Sequence, residues 1–238
     1  MKFLRNDTIE DLAESRLLEF EKKLGRALSL PIPIELFGEL ALGLSILWDE
    51  IEELPGELIL GGIIPEQRLV LLNEQRRSYM DGTPGLERST LGHEYGHWDL
   101  YVDKGTLEHP GLFAEDRESS VFAFRSSGLG DVAVIKKLES SAEGRELLSK
   151  IESRADEPDE ARAVNRYAAA VSMPRSLVRE EVSKIDQTQW PELYRLKDRF
   201  GVTISALCVR LKQLDLLYMK GKTLYENRDA AIGQSTLF

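Results

Sequence analysis

The run His93-Glu94-Tyr95-Gly96-His97 constrains this chain more than any other feature, because its two histidines can act together only if the backbone between them is helical. On an α-helix, positions i and i+4 lie one turn apart on the same face, so both imidazoles can turn towards a single point. Glu94 follows His93 by about 100° around the helix axis, close to that point without occupying it. The breaker Asp81-Gly82-Thr83-Pro84-Gly85 precedes the run. The pattern after it predicts one helix over 87–101, packed against a sheet.

Two imidazoles at this spacing with a carboxylate beside the first are the ligand-and-base set of zinc hydrolysis. Imidazole and carboxylate are the usual protein ligands of Zn2+, and a catalytic zinc keeps one position for water. The metal lowers the pKa of that water towards about 7 and polarises a peptide carbonyl. His93 and His97 are therefore the expected metal ligands. Glu94 is the expected catalytic base, passing the water's proton to the leaving amine. The chain has 3 histidines, and two of them fall in this run, which argues against a pair that merely packs. A longer pattern with Gly and His at fixed later positions is excluded, since those positions hold Leu100 and Asp103. His109, in a Glu-His-Pro loop, reads as a surface residue, so a carboxylate is the expected third ligand.

At 238 residues, one main domain with a small appendage is the expected organisation. Ile9, Leu12, Ala13, Leu17, Phe20 and Leu24 recur at helical spacing behind an Asp7/Thr8 cap. Leu36, Phe37, Leu40, Ala41 and Leu44 make a second stripe, closed by Gly43 and followed by the strand-like run 45–48. Strands are predicted over 57–63 and 68–73, giving a small sheet. Two helices, about 113–125 and 131–153, are predicted in an insert over 103–156 that is assigned no role. Ala163, Tyr167, Ala168 and Val171 mark a helix that ends at Met173-Pro174. Leu193, Leu196 and Phe200, then Ile204, Leu207, Cys208, Leu211 and Leu214, mark two helices about a turn at Gly201. The expected class is α+β: a mostly helical domain with a three-stranded sheet over 1–174, and a helix-turn-helix-like segment over 175–238.

Charge narrows the partners. A net charge of −10 opposes collection on a polyphosphate backbone. Residues 174–238 nevertheless hold 11 Lys/Arg against 8 Asp/Glu. A DNA-binding regulator using Arg195, Lys197, Arg199, Arg210 and Lys212 is therefore an alternative reading. The longest mostly apolar stretch, Leu36 to Trp48, is too short to span a bilayer, so no membrane association is expected. The N-terminus turns polar at once, unlike a secretory signal. Cys208, the single cysteine, suits a reducing compartment. A cytoplasmic location is expected.

Several segments together resemble the ImmA/IrrE family of metallopeptidases. Residues 88–98, Arg-Ser-Thr-Leu-Gly-His-Glu-Tyr-Gly-His-Trp, look like that family's Phe-Thr-(Ile/Leu)-Ala-His-Glu-Leu-Gly-His-Trp helix. Residues 165–174, Asn-Arg-Tyr-Ala-Ala-Ala-Val-Ser-Met-Pro, are similar to its Asn-x-Phe-Ala-x-x-Leu-Leu-Met-Pro helix. Leu193 to Leu217, with Phe200-Gly201-Val202-Thr203-Ile204-Ser205-Ala206-Leu207 and Arg210-Leu211, resembles its tail. The resemblance covers most of the chain outside 103–156. It implies a zincin-like domain and site-specific cleavage of a helix-turn-helix transcriptional repressor in stress or phage-like circuits.

The same resemblance implies a glutamate ligand four residues before Asn165, where this chain has Ala161. A bulge between Pro158 and Val164 would bring Glu160 to the metal, and Glu160 is the expected third ligand. Glu157 is the fallback, with Asp159 beside it. Glu115, Asp116 and Glu118 in the insert come after these. With no third protein ligand, the chain would be a metal-binding but proteolytically inactive regulator.

Overall fold

The computed structural model describes residues 4–53, 58–83, 85–108, 159–221 and 223–233. Helix α1, Asn6–Leu24, buries Ile9, Ala13, Leu17 and Phe20 along one stripe. It starts earlier than the predicted cap: Arg5 is the extended N-cap residue, and Asp7 lies inside the first turn, where its charge complements the helix dipole. Gly25 ends the helix at φ 65°, and its N–H bonds to Glu21 O at 3.0 Å.

The second helical stripe differs from its predicted register. Helix α2, Ile34–Phe37, widens into a π turn over Gly38–Leu42. That wider turn buries Ile34, Phe37, Gly38, Ala41 and Leu42, leaving Leu36 and Leu40 half-exposed. Gly38 lies against the Tyr95 hydroxyl, where a Cβ would overlap it.

Strands β1 (Ser45–Asp49), β2 (Gly61–Ile64) and β3 (Leu69–Asn73) form a mixed sheet in the order β1-β3-β2. β1 runs parallel to β3 with Ile46 opposite Val70, and β2 runs antiparallel to β3 with Ile63 opposite Val70. The middle strand is the most enclosed, with Val70 and Leu72 fully buried. β2 is shorter than predicted because residues 58–60, although buried, are irregular. The buried Asn73 side chain pins this stretch, donating to Ile59 O at 2.9 Å.

Helix α3 (Arg77–Asp81) leads to α4 (Leu86–Tyr101) and the short α5 (Lys104–Glu108). The predicted helices at 113–125 and 131–153 lie outside the described residues. Helix α6, Asp159–Ser172, is followed by α7 (Arg175–Val182), α8 (Trp190–Phe200) and α9 (Ile204–Gln213). A hairpin of β4 (Tyr218–Lys220) and β5 (Thr223–Tyr225) then precedes α10 (Arg228–Gly233). α7 and the hairpin are additions to the expected scheme. Gly201 at φ 64° and Thr203, whose hydroxyl accepts from Ala206 N at 3.1 Å, set the turn between α8 and α9.

The described residues therefore form a mostly helical α+β structure with a small three-stranded sheet. Its apolar interior gathers into two clusters, one reaching from Ile9 to Val171 and the other from Met173 to Leu224. Leu30 and Leu177 pack on both. A buried ion pair joins them: Arg210 bonds both oxygens of Glu10 at 2.6 and 2.9 Å and Met173 O at 2.9 Å. Among the described residues no helix is long and apolar enough to cross a membrane.

Candidate metal centre

Helix α4 carries the histidines, and α6 lies directly along it. Two glycines on α4 permit this approach. A Cβ on Gly96 would lie 3.0 Å from Val164 O, and one on Gly92 would lie 3.2 Å from Ala168 Cβ. Backbone contact at these two points fixes the register of the two helices. Asn165, next to Val164, consequently meets His93, and Glu160, one turn earlier, meets His97.

The resulting geometry brings the two imidazoles together. His93 Nε2 and His97 Nε2 are 3.1 Å apart, with ring centroids 4.8 Å apart and an interplanar angle of 72°. His93 Nδ1 lies 2.9 Å from Asn165 Oδ1. His97 Nδ1 lies 3.5 Å from Glu160 Oε1, an electrostatic contact longer than a formed hydrogen bond. Glu94 is fully buried next to His93. Tyr101 stands one turn beyond His97, its ring centroid 6.4 Å from that of His97.

Burial pushes His97 down to about 3, and the neighbouring His93 adds to the effect. Burial likewise lowers His93, against the opposing bond to Asn165. Both rings are therefore neutral near pH 7, and each keeps one nitrogen lone pair. Around them the helix is held firmly. Burial opposes ionisation of Asp99, yet bonds from Arg16 (2.8 and 2.9 Å), Lys104 (2.6 Å) and Tyr167 Oη (2.7 Å) hold it below the usual carboxylate range.

These two imidazoles could supply two of the ligands of a zinc ion. Asn165 Oδ1 accepts the Nδ1 proton of His93, which leaves the Nε2 lone pair directed at His97. Two nitrogens about 2.0–2.1 Å from one tetrahedral ion lie about 3.3 Å from each other, close to the observed 3.1 Å. Among the described residues, no group of three His, Cys, Asp or Glu side chains gathers about a common point. α6 is regular from Asp159 onward, so the bulge expected to turn Glu160 inward is not seen among the described residues. Ala161 stands four residues before Asn165, Asp159 pairs with Arg162, and Glu157, His109, Glu115, Asp116 and Glu118 lie outside the described residues.

Two site features went unassigned in the sequence. Asn165 belonged to a motif without a role, and Tyr101 follows the i, i+4, i+8 spacing of His93 and His97. In the tail, Arg210 is not a surface cation as the sequence suggested, since its side chain is fully buried against Glu10. Arg199 pairs with Glu181 at 2.6 Å and Arg195 with Glu192 at 2.5 Å, while Lys212 is exposed.

No family model matches the chain, and no curated protein sequence matches it. Among solved structures it is similar to a Mycobacterium tuberculosis transcriptional regulator, with 14% identity and a TM-score of 0.43. The match covers 88% of this chain and 49% of the other, so this chain spans about half the length of that protein.

Proposed function

We propose that this protein is a cytoplasmic, zincin-like zinc endopeptidase, with His93 and His97 as metal ligands and Glu94 as general base. The observation that carries this reading is the approach of two imidazole nitrogens to 3.1 Å, with the side chain of Glu94, the residue after His93, fully buried. When bound, zinc would polarise the scissile carbonyl and bring the pKa of water towards about 7. The chain's own residues supply the rest. Asn165 fixes the ring orientation and tautomer of His93. Glu94, one position from a ligand, takes a proton from the attacking water and returns it to the departing amine. The substrate class, a helix-turn-helix transcriptional repressor, follows from the resemblance of the three motif segments to ImmA/IrrE peptidases.

Glu94→Gln tests this proposal, because the amide keeps the shape and loses the base. The variant should retain zinc and cleave a co-encoded repressor at least about 100-fold more slowly. Full activity in Glu94→Gln would refute the assignment.

A second reading, a metal-binding regulator without proteolysis, is favoured by one observation: Ala161 occupies the position of the resembling family's glutamate ligand. Stoichiometric zinc with no cleavage of the repressor would select that reading.

A further inference from the structure

We propose that Asn165 and Glu160 are positioning residues for the two imidazoles, Asn165 by accepting the Nδ1 proton of His93 and Glu160 by its carboxylate facing His97 Nδ1, and that Glu160 is not itself a metal ligand. This rests on the zinc reading and goes beyond it by reassigning the residue expected to complete the site.

The two nitrogens of an imidazole point away from each other across the ring. His97 directs Nε2 at His93, 3.1 Å away, and Nδ1 at the Glu160 carboxylate, 3.5 Å away. Glu160 is thus on the outer side of the ring, as Asn165 is on the outer side of His93 at 2.9 Å. Both acceptors come from α6, and the regular helix from Asp159 keeps them five residues apart. The Gly96–Val164 and Gly92–Ala168 approaches hold that helix in register with α4. Asn165 keeps the proton of His93 on Nδ1 and turns its Nε2 lone pair inward, and the Glu160 carboxylate favours the same tautomer of His97 when its Nε2 is to bind a metal. In the metal-free protein the 3.1 Å contact is a hydrogen bond, His97 Nε2–H donating to the lone pair that Asn165 leaves on His93 Nε2. Both Nε2 lone pairs would become available to a metal once His97 carries its proton on Nδ1, facing Glu160.

The two roles of Glu160 respond differently to substitution. Gln at position 160 still offers an oxygen to the Nδ1 proton, whereas it is a poor replacement for an anionic ligand. Zinc affinity would be measured by chelator competition on the full chain and its Glu160→Gln, Glu160→Ala, Asn165→Ala and His97→Ala variants. Glu160→Gln should stay within about threefold of wild type, Glu160→Ala and Asn165→Ala should weaken zinc about 10–100-fold, and His97→Ala should lose it. Long-range 1H–15N spectra of histidine-labelled protein provide a second readout, with 3 histidines to resolve. Metal-free wild type should show His93 protonated at Nδ1, and Asn165→Ala should move that proton to Nε2.

Loss of zinc from Glu160→Gln as complete as from His97→Ala would overturn the proposal and make Glu160 a ligand. Unchanged affinity in Glu160→Ala would overturn it in the other direction. Wild-type protein that binds no zinc would contradict the zinc reading instead. In that case the metal-free spectra still decide the Asn165 half: an unchanged His93 tautomer in Asn165→Ala overturns it.

Discussion

His93 and His97 make the metal-free protein sensitive to acid in a defined direction. Burial lowers both, His97 to about 3, while an unfolded chain titrates its histidines near 6.5. Between those values the unfolded state binds more protons than the folded state. Stability is therefore complete above about 6.5 and is lost as pH falls, by up to about 1.4 kcal/mol per pH unit for each histidine. Urea midpoints of the metal-free protein should drop between pH 7 and pH 5, above the usual carboxylate range. A flat midpoint would mean that the imidazoles are not desolvated as described.

At the scale of elements, the centre depends on how closely α6 approaches α4. Gly96→Ala would place a Cβ 3.0 Å from Val164 O, a backbone atom that cannot rotate aside. Alanine favours a helix by about 1 kcal/mol over glycine, yet overpacking of this kind costs about 1–3 kcal/mol. The variant should be no more stable than wild type and should bind zinc less tightly, because Asn165 and Glu160 move with α6. A clear rise in melting temperature with unchanged zinc affinity would contradict the packing account.

Helix α4 was legible in the sequence because its limits are set locally, by the breaker before Leu86 and the continuous pattern to Tyr101. α6 and the α8–α9 pair were legible for the same reason, through helical apolar spacing and the glycine at 201. The π turn at Gly38 was not, since the Tyr95 hydroxyl that defines its neighbourhood lies 57 positions away in sequence. Nor was the role of Asn165, whose partner His93 is 72 positions away. His93, Glu94 and His97 could be read as a set because one helical turn holds them. The third ligand could not, because it depends on which side chain the tertiary structure brings in.

At the scale of the whole molecule, Arg210 and Glu10 join residues separated by 200 positions, and Arg166 lies 3.0 Å from the same carboxylate. Removing one member of such a pair leaves a buried charge. Arg210→Met should destabilise the fold by about 1–3 kcal/mol, less than for an isolated pair because Arg166 still faces Glu10, and Glu10→Leu combined with it should not recover the loss in full, since Arg166 then loses that carboxylate. Chemical denaturation of the single and double variants measures this, and a change below about 0.5 kcal/mol in Arg210→Met would show that the pair does not anchor the tail. The same burial bears on the alternative DNA-binding reading, since Arg210 is engaged in docking α9 onto α1.

An equilibrium zinc titration of the purified chain tests whether His93 and His97 form one metal site. One zinc should bind per chain, lost in both His93→Ala and His97→Ala and retained in Glu94→Gln. A wild-type chain that binds no zinc, or binds it equally well without these histidines, would contradict it.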